Sequence, residues 1–289
     1  MIFMTECAGN NMISDILKKA REYEADYNSK SDLSKRPLFH VTGTVGWIND
    51  PNGFSVYKGE YHLFYQYHPY SLKWGPMHWG HLKSKDLIKW ERLPVALAPD
   101  EEYDINGCFS GSAVETPDGK HLLMYTGVQN EYQRQCIAVG DGSEYTKAPV
   151  NPVIKGDMLP KGSSEYDFRD PKIRIENGIY YAVVANKAAD GSGAVYQFSS
   201  LNGNDWIFDK VVDASKNELG KMWECPDYFP FMDKRVLILS PQEMEAGGEF
   251  KSGNNTMAII GHENQEDIFI RESIQTLDFG IDFYAPQTP

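Results

Sequence analysis

The chain has 289 residues, 24% of them charged and 13% aromatic, with a formal charge of −13. That length can bury a sizeable core, and the acidic surplus, offset by no basic stripe, argues against nucleic acid or an anionic membrane as partner. No run of about twenty apolar residues is present, and the start MIFMTECAGNNMISDILKKA lacks a basic stretch, an apolar segment and a small-residue cleavage site, which predicts a cytoplasmic protein.

Apolar Ile16, Leu17, Ala20, Tyr23 and Tyr27, with charges between them, predict a short amphipathic helix over residues 14–27. Residues 28–36 are polar and rich in Ser and Lys. They read as a linker, so that 1–36 form a helical lead-in and 37–289 an all-β domain whose first strand begins near Phe39. Cys7, Cys108, Cys136 and Cys225 stand apart without CxxC spacing, which suggests reduced packing residues rather than a disulfide framework or a zinc site.

From there the chain repeats itself. A turn dipeptide followed by an alternating or aromatic-rich run recurs as KGEYHLFYQY from Lys58, DGKHLLMYTG from Asp118, NGIYYAVVAN from Asn177 and DKRVLILS from Asp233. The turn residues Gly59, Gly119, Gly178 and Lys234 lie 56 to 60 residues apart, a period that suits a four-stranded propeller blade with long loops. SKDLIKW, ending at Trp90, and SLNGNDW, ending at Trp206, mark an outer-strand turn with a packed indole. The closing LDFGIDFYAPQTP reads as the opening of a fifth unit that stops before its hairpin, leaving an edge strand open to pairing.

Counting back from each turn places Asp50 nine residues before Gly59, Phe109 ten before Gly119, Asp170 eight before Gly178 and Glu224 ten before Lys234. All four therefore fall on the first strand of their unit. In a propeller the first strands line the central channel, so the three carboxylates are expected to converge at one end of it. Acids beside Pro and Gly are also common turn formers, but three in phase point to a site.

Such a trio suits cleavage of a glycosidic bond with retention, which needs a carboxylate nucleophile and a carboxylic acid about 5 to 5.5 Å apart. Asp50 reads as the nucleophile, kept ionised by amide donors from Asn49, Asn52 and Gly53. Glu224, between Trp223 and Cys225 and ahead of Pro226, reads as the proton donor, its pKa raised by apolar burial and few hydrogen bonds. Asp170, held ionised by Arg169, reads as a binder of sugar hydroxyls whose grip tightens in the transition state. Two carboxylates and water suffice, so no cofactor and no metal is expected. A metal reading of His62, His68, His78 and His81 is the weaker one, because the two histidines of HWGH would point to opposite faces of a strand.

The blocks WINDPNG, QYHP from Gln66, WGPMHWGH from Trp74, CFSGSA from Cys108, FRDPK from Phe168 and WECPD from Trp223 resemble the signature blocks of glycoside hydrolase family 32, which contains invertases, sucrose-6-phosphate hydrolases and fructan hydrolases. The likeness runs from about His40 to the end of the chain. It implies a five-bladed propeller, with Asp50 as nucleophile, Glu224 as acid/base, Asp170 as transition-state stabiliser, and Trp47, Asn49, Gln66, Trp74, Phe109, Ser110 and Arg169 lining a fructosyl pocket. Of Trp74 and Trp79, one is expected to be core. The sequence departs from the family in an incomplete fifth blade and in the absence of the β-sandwich that usually follows.

The expected activity is cleavage of the β-fructofuranosyl bond of sucrose or its 6-phosphate, with Lys73, Lys161 and Lys172 as candidates for a phosphate contact. A fructan hydrolase or fructosyltransferase is the alternative within the same chemistry, and an inactive sugar-binding remnant the alternative outside it.

Overall fold

The computed structural model describes residues 13–280 and 282–289; Cys7, part of the lead-in and Ile281 of the closing block lie outside the described residues. The one α-helix among them, α1 (Asp15–Lys30), is capped by Ser14, whose Oγ accepts the Leu17 amide at 3.1 Å. It runs one turn beyond the predicted end.

Sixteen strands follow in four antiparallel four-stranded sheets, each a meander in chain order. Blade 1 comprises β1 (Trp47–Tyr57), β2 (Glu60–His68), β3 (His78–Ser84) and β4 (Trp90–Leu97). Blade 2 comprises β5 (Gly107–Glu115), β6 (His121–Gln129), β7 (Tyr132–Gly140) and β8 (Tyr145–Lys147). Blade 3 is built of β9 (Arg169–Glu176), β10 (Ile179–Lys187), β11 (Gly193–Ser200) and β12 (Ile207–Ala214). Blade 4 is built of β13 (Met222–Phe231), β14 (Lys234–Gln242), β15 (Met257–Glu263) and β16 (Phe269–Thr276). The first strand begins at Trp47 rather than near Phe39, which is exposed. Residues 42–44 instead lend carbonyls to the guanidinium groups of Arg36 and Arg92.

The turn signals act through backbone geometry. Lys58-Gly59 and Asn177-Gly178 both adopt positive φ, the left-handed two-residue turn whose twist matches that of the strands it joins. In blade 4 the turn is Met232-Asp233, and Lys234 already pairs with Phe231. Trp90 and Trp206 share their predicted motif: each indole N–H donates to the carbonyl three residues earlier, at 3.2 and 2.9 Å.

Alternation along the middle strands divides the core into layers. Tyr180, Ala182 and Val184 pack toward Leu122, Met124 and Ile137 of blade 2, whereas Val183 packs toward Trp223, Leu237 and Ile259 of blade 4. Phe64 meets Leu123, Tyr125 and Tyr145 of blade 2, while Tyr65 and Tyr67 point the other way, onto Leu17 and Ala20 of α1. The helix thus caps that face of blade 1. Arg21 fixes it there by donating to the Val95 carbonyl at 2.9 Å and pairing with Glu144.

The first strands lie innermost, with β5 packing between β1 and β9, and β9 packing between β5 and β13. Among the described residues, those after Thr276, where a fifth unit was expected to open, make no strand. The final residues instead cross the channel. Gln287 accepts the Phe54 amide of β1 at 3.4 Å and donates to the Gly111 carbonyl of β5 at 3.0 Å, while Thr288 bonds Asp227 of β13 and accepts from Lys172 of β9. Four blades, not five, are therefore present among the described residues. No helix among them is long and apolar enough to cross a membrane.

Candidate active site

Every inner strand carries one extra residue against its neighbour at the same end of the channel. Pairing skips from Ile48 to Pro51 on β1, Phe109 to Gly111 on β5, Arg169 to Lys172 on β9 and Glu224 to Asp227 on β13. Such bulges bend a strand and re-aim its side chains. Pro51, Pro171 and Pro226 sit in or beside three of them, where the missing N–H breaks no ladder. The bulges also refine the predicted phasing: Glu224 occupies the register of Arg169, and the blade 4 counterpart of Asp170 is Cys225, the two sharing positive φ of 62° and 49°.

Asp50 is served from the neighbouring blade. Ser110 Oγ donates to its Oδ2 at 2.6 Å, and Gln66 Nε2 donates in turn to Ser110 Oγ. The expected donors Asn49, Asn52 and Gly53 make no such bond among the described residues. Asn49 is exposed, Asn52 is fully buried, and Gly53 lies against Phe64 and Trp79. Nor is the Asp50 pKa held down: burial pushes it up, Glu224 adds to the rise, and the Ser110 bond and Arg169 charge oppose it.

Glu224 is likewise not in the sparse apolar setting expected of it. Arg169 Nε and Nη2 donate to its Oε1 at 3.0 and 2.8 Å, and Gln242 Nε2 and Tyr284 Oη donate to Oε2 at 2.7 and 2.6 Å. Arg169 therefore grips Glu224 and stands 4.0 Å from Asp170. Asp170 is buried, its amide donating to Thr126 Oγ1 at 3.0 Å and its Oδ2 accepting the Cys225 amide at 3.1 Å. Burial lifts its pKa to about 7; Arg169 lowers it, while the charges of Glu224 and Asp50 raise it. The expectation that Arg169 keeps Asp170 low fails because burial outweighs a guanidinium engaged elsewhere.

Around this trio, Gln66 and Ser110 are buried, Phe109 is half-buried, and Trp74 is 57% exposed with its ring edge-on to Phe109 at 6.1 Å. Trp79 is the core member of the tryptophan pair, its indole N–H holding the Phe109 carbonyl at 3.1 Å. Trp47 is half-buried, with a shielded indole N–H that meets no partner among the described residues. Gln242, Tyr284 and Gln133, which accepts from Arg169 Nη1 at 3.4 Å, escaped the sequence reading. Tyr284 had a signal in FYAPQT, read there only as the start of a strand.

Of the lysines considered for phosphate, Lys172 is engaged by Asp227 at 3.2 Å. The histidines form no metal cluster among the described residues. His62 Nδ1 and His81 Nε2 lie 3.0 Å apart within the blade 1–blade 2 core, whereas His68 and His78 each approach the Pro76 carbonyl. Cys108, Cys136 and Cys225 are free and buried, as packing residues.

A profile of the glycosyl hydrolases family 32 N-terminal domain matches residues 40–289. A sucrose-6-phosphate hydrolase of Zymomonas mobilis is 44% identical over 271 residues, which span 87% of this chain and 52% of that protein. A levanase of Bacillus subtilis is 37% identical over 95% of this chain and 41% of its own length. Among solved structures, a Bombyx mori GH32 beta-fructofuranosidase superposes with a TM-score of 0.84 at 40% identity, covering 94% of this chain and 59% of that one. The chain thus spans about half the length of the curated relatives it matches.

Proposed function

The chain belongs to glycosyl hydrolase family 32, and from that premise we propose that it carries the catalytic machinery of a retaining β-fructofuranosidase acting on sucrose or sucrose 6-phosphate. The relatives named for hydrolysis of sucrose 6-phosphate support the substrate, and the Bombyx mori enzyme has also been solved, as a mutant, with sucrose. The observation that carries the reading is geometric: the first strands of three different blades carry Asp50, Asp170 and Glu224, and Arg169 lies 2.8 Å from Glu224 and 4.0 Å from Asp170.

In this reading Asp50 attacks the anomeric carbon of the fructosyl group while Glu224 protonates the departing oxygen, and Glu224 then activates the water that releases fructose. The Glu224 charge disfavours ionisation of Asp50, and Ser110 opposes this by hydrogen bonding to the ionised form. A proton on Glu224 Oε2 requires the Tyr284 hydroxyl to turn from donor to acceptor, which a hydroxyl rotor can do. Arg169 then receives the carboxylate that forms as the proton departs. Asp170 supports the transition state by accepting hydrogen bonds from the sugar's hydroxyls as the ring gains oxocarbenium character.

Two measurements test the reading. Asp50→Ala and Glu224→Gln should each abolish sucrose cleavage while the far- and near-UV circular dichroism stay unchanged. The fructose first released by the unmodified protein should be the β-anomer by NMR. Residual full turnover in either variant, or initial release of the α-anomer, would remove the assignment.

A further inference from the structure

The guanidinium of Arg169 divides its nitrogens between different partners. Nε and Nη2 hold Glu224 Oε1 at 3.0 and 2.8 Å, and Asp170 stands 4.0 Å from Nε. The remaining nitrogen, Nη1, has two other neighbours: Gln133 Oε1 accepts from it at 3.4 Å, and Asp167 Oδ1 lies 3.6 Å away. At that distance Asp167 makes no hydrogen bond and acts on the guanidinium through its charge. Burial disfavours the charge on Arg169, and Asp170, Glu224 and Asp167 together restore it.

Asp167 is fixed by its own turn. The Ser164 hydroxyl accepts the amides of Tyr166 and Asp167 at 3.2 and 3.0 Å and donates to Asp167 Oδ2 at 3.1 Å. Ser164 is anchored to β10 through both of its backbone groups, its amide donating to the Lys187 carbonyl at 3.0 Å and its carbonyl accepting from Asn186 Nδ2 at 2.8 Å. Asn186 is fully buried, so the turn rests on the core of blade 3. On its other oxygen Asp167 meets a second cation, Lys187 Nζ, at 3.9 Å. The carboxylate is 32% exposed, close enough to the interior to act on Arg169 and open enough to stay hydrated.

A proton donor and the arginine that grips it pull against each other. Glu224 must be protonated when the glycosidic oxygen departs, yet a guanidinium 2.8 Å away favours the carboxylate. An anion beside Nη1 offsets that pull without taking the hydrogen bonds of Nε and Nη2 from Glu224. We propose that Asp167 is a positioning residue that acts through Arg169: its charge weakens the hold of the guanidinium on the Glu224 carboxylate and so keeps the proton available to the leaving group. The other titratable groups that face Arg169 and Glu224 are Asp50 of β1, Asp170 of β9, Cys225 of β13 and Tyr284 near the chain's end. The inference rests on the hydrolase reading above and adds to it a residue outside the catalytic trio.

The test compares Asp167→Asn, which removes the charge and keeps the shape, with Asp167→Glu, which keeps the charge. In Asp167→Asn the alkaline limb of kcat/KM for sucrose should move to lower pH by about half to one unit, a loss of about threefold to tenfold on that limb. Fluoride release from fructosyl fluoride, whose leaving group needs no acid, should keep its kcat/KM within about twofold at the same pH. Asp167→Glu should return the sucrose profile most of the way. An unmoved limb with equal losses on both substrates, or an Asp167→Glu variant no better than Asp167→Asn, overturns the inference while leaving the hydrolase reading in place, since Asp167 would then serve only its turn. Failure of the unmodified protein to cleave either substrate overturns the hydrolase reading and this one with it.

Discussion

Removing the Ser110 hydroxyl should move the acid limb of the activity profile. Ser110 Oγ is the one side chain among the described residues that hydrogen-bonds Asp50, at 2.6 Å, and it favours the ionised form against a burial that raises the pKa. A hydrogen bond to a charged group contributes about 1.5–3 kcal/mol, and about 1.4 kcal/mol corresponds to one pKa unit. Ser110→Ala should therefore raise the Asp50 pKa by about one to two units. Attack needs ionised Asp50, so kcat/KM for sucrose should fall at acid pH by about tenfold or more and recover toward alkaline pH, where both proteins are ionised. A profile with an unmoved acid limb and a uniform loss at every pH would refute the reasoning, since it would assign Ser110 to substrate binding and not to the charge on Asp50.

The remaining outcomes concern stability. Leu17→Ala, under the α1 cap on blade 1, should cost about 2 kcal/mol in urea unfolding, and a change under about 0.5 kcal/mol would show that the helix does not seal that face. Glu131→Gly should raise stability by about 1 kcal/mol by relieving a left-handed side chain, seen as a higher Tm, and a lower Tm would contradict the strain. The buried His62, His81 and His121 all have pKa values lowered by burial, that of His121 to about 3, so they are neutral in the fold and take up protons on unfolding. Their contribution is complete above about pH 6.5 and lost as the pH falls below it, by up to about 1.4 kcal/mol per pH unit for each histidine. The urea midpoint should accordingly fall between pH 6.5 and 4.5, less steeply in His121→Gln, and an identical slope in that variant would exclude the cluster as its source.

Much of this architecture was legible because local rules carried it. Lys58-Gly59 and Asn177-Gly178 can scarcely do anything but turn, and the repeat of such turns revealed the blades and the inner position of Asp50, Asp170 and Glu224. What failed were inferences from sequence neighbours about surroundings set by tertiary contact. Trp223 and Cys225 suggested an apolar Glu224, yet the side chain turns to meet Arg169 of another blade and Tyr284 from near the chain's end. Asn49 and Asn52 suggested donors to Asp50, but its partner comes from β5. LDFGIDFYAPQTP read as the opening of a fifth unit, whereas Tyr284, Ala285, Gln287 and Thr288 direct their hydrogen bonds to inner strands and to the Ser240 side chain. The helical cap was likewise invisible, because the amphipathic pattern shows that a helix buries one face and not what covers it.

The pairing of Asp50 with Glu224 is most directly tested by trapping the covalent intermediate. Glu224→Gln, incubated with fructosyl fluoride, whose leaving group needs no acid, should still be attacked by Asp50 but lack the base that activates water. Intact-mass spectrometry should then find one fructosyl unit added, and peptide mapping should place it on Asp50. No adduct despite fluoride release, or an adduct on any other residue, would contradict the account.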